Sequence, residues 1–131
     1  MQITRQADYA LRAAKYLAGL DPKQKTSTAD IAKFMHIPPT FLAKILSQLV
    51  LAGVIRSERG AHGGVALAKP ATEVSVLEVV EAIDGKITLS ECTENEHFCP
   101  FSPECKLHEM WCGTREELAK KLNGISLAQV V

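Results

Sequence analysis

Four cysteines, Cys92, Cys99, Cys105 and Cys112, stand in the last third of this 131-residue chain, and none stands elsewhere. Two histidines, His97 and His108, lie among them. Thiolate and neutral imidazole are soft donors, the ligands of zinc and of iron–sulfur clusters. Six residues separate Cys92 from Cys99, and five separate Cys99 from Cys105. Cys105 and His108, at i, i+3, share one face if the segment is helical. Structural zinc favours closely spaced cysteine pairs, so these singly spread thiols weaken a zinc reading without removing it. Cys112 is two helical turns beyond Cys105, far for one cluster, and reads as a free thiol. His36, His62 and His97 read as solvated residues.

The elements that must position these donors follow from periodicity and caps. Residues 3–19 are predicted to be helical, with Thr4 as N-cap and Ala7, Ala10, Leu11, Ala14, Leu17 and Ala18 at helical spacing. Ser27 or Thr28 caps a short helix to about Met35. Ile37-Pro38-Pro39 breaks the chain, and Pro39 can open the next helix, from about Thr40 to Ala52, stopped by Gly53. Two β-like runs, 54–57 and 65–68, flank a glycine-rich tip and predict a hairpin. Ser75 opens a helix over Val76 to Asp84. Residues 86–104 are expected to be irregular. A final amphipathic helix runs from Glu104 or Cys105 to Leu122, with the stripe Leu107, Trp111, Thr114, Leu118 and Leu122.

The formal net charge of zero hides a split. Residues 1–70 carry ten Lys and Arg against four Asp and Glu, whereas residues 71–131 carry five against eleven. A basic half is an electrostatic footprint for nucleic acid. Three helices followed by a hairpin is the order of a winged helix-turn-helix, whose third helix enters the major groove. In that helix Leu42, Ile45, Leu46 and Leu49 form a core face. Thr40, Lys44, Ser47 and Gln48 fall opposite and can donate to phosphates or base edges. Thr28 and Thr40 mark helix N-termini suited to phosphate. Arg59 and Gly60 at the hairpin tip suit close approach to a groove.

The apolar stretches are too short to span a bilayer, and the first residues lack a signal-peptide core. A cytoplasmic setting is expected, where thiols stay reduced and act as ligands or sensors. No nucleophile-and-base pairing is evident. Gly60–Gly64 has no helix after it, as a phosphate loop requires. An enzyme is therefore not expected.

Thr4-Arg-Gln-Ala-Asp8-Tyr9-Ala-Leu-Arg-Ala13, Ile37-Pro-Pro-Thr-Phe-Leu42-Ala-Lys-Ile-Leu46, Leu51-Ala-Gly-Val-Ile-Arg-Ser57 and Arg59-Gly60 with Gly63-Gly64 carry a family resemblance. So do three cysteines before a long helix and Ile125-Ser-Leu127 near the end. Together they resemble the IscR/NsrR-type winged-helix regulators. The resemblance implies a mainly α fold with a small β-hairpin, winged helix-turn-helix over 1–70, then cluster loop and dimerisation helix over 71–131. It implies a homodimer that binds promoter DNA, a repressor by expectation, sensing iron–sulfur supply, nitric oxide or redox state.

It also implies Cys92, Cys99, Cys105 and His108 as ligands, which favours a 2Fe–2S cluster. A second arrangement in the family uses a carboxylate at Asp8, reaching from the partner subunit to complete a 4Fe–4S cluster. Cys112 or an exogenous group is a further alternative. Val65 stands where the family's wing carries an aromatic, and Ala43-Lys44 where IscR-type helices carry Glu-Gln, so operator sequence does not transfer. Three rivals stay open: a thiol-based regulator without a cluster, a zinc-based one, and an electron-transfer iron–sulfur protein.

Overall fold

The computed structural model describes residues 2–61, 63–95, 99–101 and 104–131. Among the described residues six α-helices and one hairpin follow in chain order: α1 Arg5–Ala18, α2 Thr28–Met35, α3 Pro39–Leu51, β1 Ile55–Glu58, β2 Gly64–Leu67, α4 Val76–Asp84, α5 Glu91–Glu94 and α6 Lys106–Asn123. Single 3-10 turns stand at Ala71–Glu73 and Leu127–Gln129.

Three hydroxyl caps set the helix starts. Thr4 accepts from the Ala7 amide, Ser27 from Asp30 and Ser75 from Glu78, each at 3.1 Å. Thr4 has extended backbone, so α1 begins at Arg5 rather than at residue 3. Ser27, not Thr28, is the cap of α2.

Helix α1 lies centrally and packs on α2, α3, α4 and β2. Its buried face is Ala7, Ala10, Ala13, Ala14 and Leu17. Alanines bring helix axes close and lose no side-chain entropy on burial. Around them Ile31, Leu42, Ile45, Leu49, Val54, Val79 and Leu127 complete one core. Val74, Val79 and Leu127 belong to the same cluster as the helix-turn-helix residues, so the core runs through both halves of the chain.

The hairpin pairs Ile55 with Leu67 and Ser57 with Val65. Thr26 adds a third edge, exchanging two hydrogen bonds with Val65 at 3.1 and 2.8 Å. Both strands are displaced by one residue from the sequence expectation. Val54 is a buried anchor whose amide returns to the Leu49 carbonyl, which leaves β1 to start at Ile55.

Residues 86–104 are not wholly irregular: α5 forms one turn there, too short for periodicity to reveal. Helix α6 has no fully buried residue. Leu118 and Leu122 are half-buried, whereas Leu107 (63%), Met110 (46%) and Trp111 (37%) stand exposed. Helix α6 packs on α4 and α5, and among the described residues Leu107, Met110 and Trp111 stay open to solvent.

Candidate nucleic-acid interface and cluster site

Helices α2 and α3 meet at 117° across His36-Ile37-Pro38. That is the geometry of a helix-turn-helix. His36 takes the left-handed conformation (φ +54°) that ends α2, and Ile37 is buried beneath the turn. Pro39 opens α3, whose first turn has no acidic residue. No carboxylate of that turn offsets the positive end of α3.

Thr40, Lys44 and Ser47 are exposed on α3, and Thr28 is exposed at the start of α2. Two of the expected contacts differ from a simple outward face. Ser47 donates its hydroxyl hydrogen back to the Ala43 carbonyl at 3.1 Å. Gln48 is half-buried, and its Oε1 is buried without a hydrogen-bond partner among the described residues. Helical phase puts Gln48 at the margin of the core face, so only part of it reaches solvent.

The wing depends on close backbone approach. A Cβ on Gly63 would stand 2.2 Å from the Glu58 carbonyl oxygen. Gly64, at φ +149°, lies against the Thr26 carbonyl, where a Cβ would come within 2.9 Å. Arg59 and Gly60 are exposed at the tip. Lys25 pairs with Glu58 and ties the α1–α2 connection to the wing. The Lys25 ammonium, through a hydrogen bond and its charge, holds the Glu58 carboxyl below its ordinary range. Tyr9 links the scaffold to α3: its ring is 6.2 Å from that of Phe41, and the Arg12 guanidinium lies 5.3 Å over its centroid.

All four cysteines are free thiols and half-buried. Cys92, in α5, lies 3.1 Å from the Ser90 hydroxyl. Cys105 immediately precedes α6, and His108 and Cys112 follow on it. His108 Nδ1 is buried and has no partner among the described residues, while Nε2 lies 3.5 Å from Cys112 Sγ. Cys112 is thus against His108, a link legible from their i, i+4 spacing. Among the described residues no three Cys, His, Asp or Glu side chains are gathered as a metal-holding group. The donor types, the free thiols and the orphaned imidazole nitrogen fit an iron–sulfur cluster; the chain alone does not converge them. Asp8 is exposed and pairs with Arg12 at 2.7 Å. His62 and His97 lie outside the described residues.

Two long-range contacts had no sequence signal. Arg115 Nε donates to the Ile87 carbonyl at 2.5 Å, and the Thr4 hydroxyl donates to Asp84 at 2.6 Å. Helix α6 is thereby linked to the segment after α4, and the end of α4 to the start of α1. Beyond α6, Leu127 donates its amide to the Val74 carbonyl at 2.8 Å and is fully buried.

The family model described as Rrf2, iron-dependent transcriptional regulator, matches residues 3–131. The chain belongs to the Rrf2 family. Solved structures with the Rrf2 fold are similar over nearly its whole length. CymR (YrzC), the global cysteine regulator of B. subtilis, is 23% identical, with 99% of this chain and 95% of that chain covered and a TM-score of 0.83. T. potens IscR is 21% identical, with 99% and 85% covered and a TM-score of 0.78. The oxidized form of S. aureus CymR is 25% identical, with 99% and 95% covered and a TM-score of 0.76. The Rrf2 family and its winged-helix fold are those of transcription regulators that bind DNA, not of enzymes. Among the described residues no single helix is long and apolar enough to cross a membrane.

Proposed function

We propose that this Rrf2 regulator is a homodimeric, promoter-binding repressor that reports iron–sulfur, redox or nitric-oxide status through a cluster held by Cys92, Cys99, Cys105 and His108. The observation that carries the cluster reading is the buried Nδ1 of His108 near the start of α6, without a partner among the described residues, in a segment that bears four free thiols. A buried imidazole nitrogen without a partner is costly, and a metal relieves that cost. With His108 as the fourth ligand, 2Fe–2S is the favoured cluster. Asp8, the alternative that goes with 4Fe–4S, is engaged by Arg12. When bound, the cluster supplies an oxidisable centre reactive toward nitric oxide.

The chain's own residues divide the remaining work. Thr28, Thr40 and Lys44 meet phosphates, Ser47 and the exposed part of Gln48 face the groove, and Arg59 with Gly60 brings the wing close. Leu107, Met110 and Trp111 offer the dimer face, because their area is otherwise left to water. A change at the root of α6 reaches α1 through Arg115, Ile87, Asp84 and Thr4. It alters the separation of two recognition helices, to which half-site binding is sensitive.

The test is purification without oxygen, with visible spectrum and native mass, followed by promoter titration before and after cluster loss or nitric oxide. Bound iron, a dimeric mass and a cluster-dependent affinity are expected. DNA binding indifferent to the cluster would remove the mechanism. One second reading has support: a clusterless thiol-based regulator, suggested by the similarity to a protein described as a global cysteine regulator and by the four free thiols. It predicts no iron and an affinity that responds to thiol oxidation.

A further inference from the structure

We propose that Cys112 is a positioning residue for His108: its sulfur accepts the Nε2–H hydrogen bond and so reserves Nδ1 as the ligand atom. This inference rests on the cluster reading above. His108 and Cys112 stand one turn apart on α6, with Sγ 3.5 Å from Nε2. The opposite ring nitrogen, Nδ1, is buried and has no partner among the described residues.

A neutral imidazole has one N–H and one lone pair. With the hydrogen on Nδ1, a buried donor is stranded, and Nε2 must take the weak S–H of cysteine. With the hydrogen on Nε2, Sγ accepts it and the stranded atom is a lone pair aimed into the protein. A lone pair there is what a metal uses. Ligating histidines nearly always give their other N–H to an acceptor, commonly a carboxylate or a carbonyl, which sets tautomer and ring orientation. The nearest acid on this helix, Glu109, is directed to Lys106 at 3.5 Å. Sulfur takes the acceptor's place. A thiol pulls less on the N–H than a carboxylate does, so the imidazole donates less strongly and releases its metal more readily. Ready release suits a sensor, whose ligand must let go when its signal arrives.

The closing experiment has a readout that needs no metal. Long-range proton–nitrogen correlation spectra of the apo full-length protein, at a pH where imidazole is neutral, report each histidine tautomer; a His108→Gln spectrum assigns the resonance. Wild type is expected in the Nε2–H form. Cys112→Ala, which keeps helix propensity, is expected to lose that preference, and Cys112→Ser, whose hydroxyl accepts, to restore it. A wild-type Nδ1–H tautomer, or a tautomer unchanged in Cys112→Ala, overturns the role of Cys112. Pulsed EPR of the anaerobically reconstituted, reduced protein then reads imidazole nitrogen coupling to the cluster. That coupling, altered in Cys112→Ala and recovered in Cys112→Ser, supports the assignment. A cluster without imidazole coupling, or no cluster at all, overturns the ligand reading of His108 instead, whatever the tautomer.

Discussion

Arg115, on the outer helix α6, donates its Nε–H to the main-chain carbonyl of Ile87 at 2.5 Å. The two residues are 28 positions apart, and the bond is partly shielded from water. It is a polar tie between the helix that bears His108 and Cys112 and the segment leaving α4. Arg115→Ala is expected to cost about 1.5–3 kcal/mol, the range for a hydrogen bond made by a charged group. Urea unfolding measures it. Arg115→Lys is expected to recover only part, since an ammonium lacks the fixed guanidinium fork. A loss near zero would show that the bond does not hold α6.

Gly63→Ala separates wing geometry from fold. The new Cβ would fall 2.2 Å from a backbone oxygen, which the turn cannot yield without opening. The helical circular dichroism signal is expected to persist, because Gly63 is outside the helical core, while melting falls modestly as the turn opens. DNA affinity is expected to fall by roughly tenfold, about 1.4 kcal/mol, as Arg59 loses its placement. Unchanged affinity would remove the wing from the interface.

Lys44 is exposed on α3 and has no ion-pair partner among the described residues. Lys44→Ala is expected to lower affinity for specific and random DNA alike. The slope of log affinity against log salt should shrink by about 0.9 per protomer, one phosphate contact. A slope that stays the same would mean that Lys44 does not meet phosphate.

Glu58 gives a signed pH dependence. Lys25 holds its carboxyl in the folded chain below the ordinary carboxylate range. The unfolded chain therefore binds the proton first, and the pair's stabilisation is complete above that range. It is lost as pH falls through the lower, folded value. Glu58→Gln should flatten this acid limb of the stability curve, and added salt should diminish it, the pair being exposed. An acid limb identical in wild type and variant would sink the assignment.

The exposed stripe on α6 predicts assembly. Trp111→Glu, or Leu107→Glu, is expected to convert a dimer to a monomer in sedimentation experiments while the helical content of the core persists. Loss of DNA affinity should accompany it, since two half-sites need two linked helices. A variant that stays dimeric would move the interface elsewhere.

Much of the fold is legible in the chain because its signals are local. Thr4, Ser27 and Ser75 cap through amides three residues away, and Pro38-Pro39 breaks a helix by sterics with its own neighbours. The α4 boundaries, Val76 and Asp84, follow from such signals to the residue. Donor chemistry is equally legible, for side-chain type alone makes Cys92, Cys99, Cys105 and His108 candidate soft donors. Periodicity also reveals the apolar stripe of α6, though not what covers it.

Other features are decided only where distant segments meet. Strand β1 starts one residue late because Val54 is drawn into the core and returns its amide to Leu49. Gln48 shares a helical face with Lys44 in sequence, yet the packing beside it half-buries its amide. The contacts Thr4–Asp84 and Arg115–Ile87 span 80 and 28 residues. No local preference encodes such pairings, because they exist only after the shared core of α1, α3, α4 and Leu127 has closed. The sequence by itself thus determined most of the elements and which side-chain types are available as donors. The tertiary structure alone decided that the helix bearing His108 is tied to the segment after α4, and the end of α4 to the start of α1, because those pairings need the closed core.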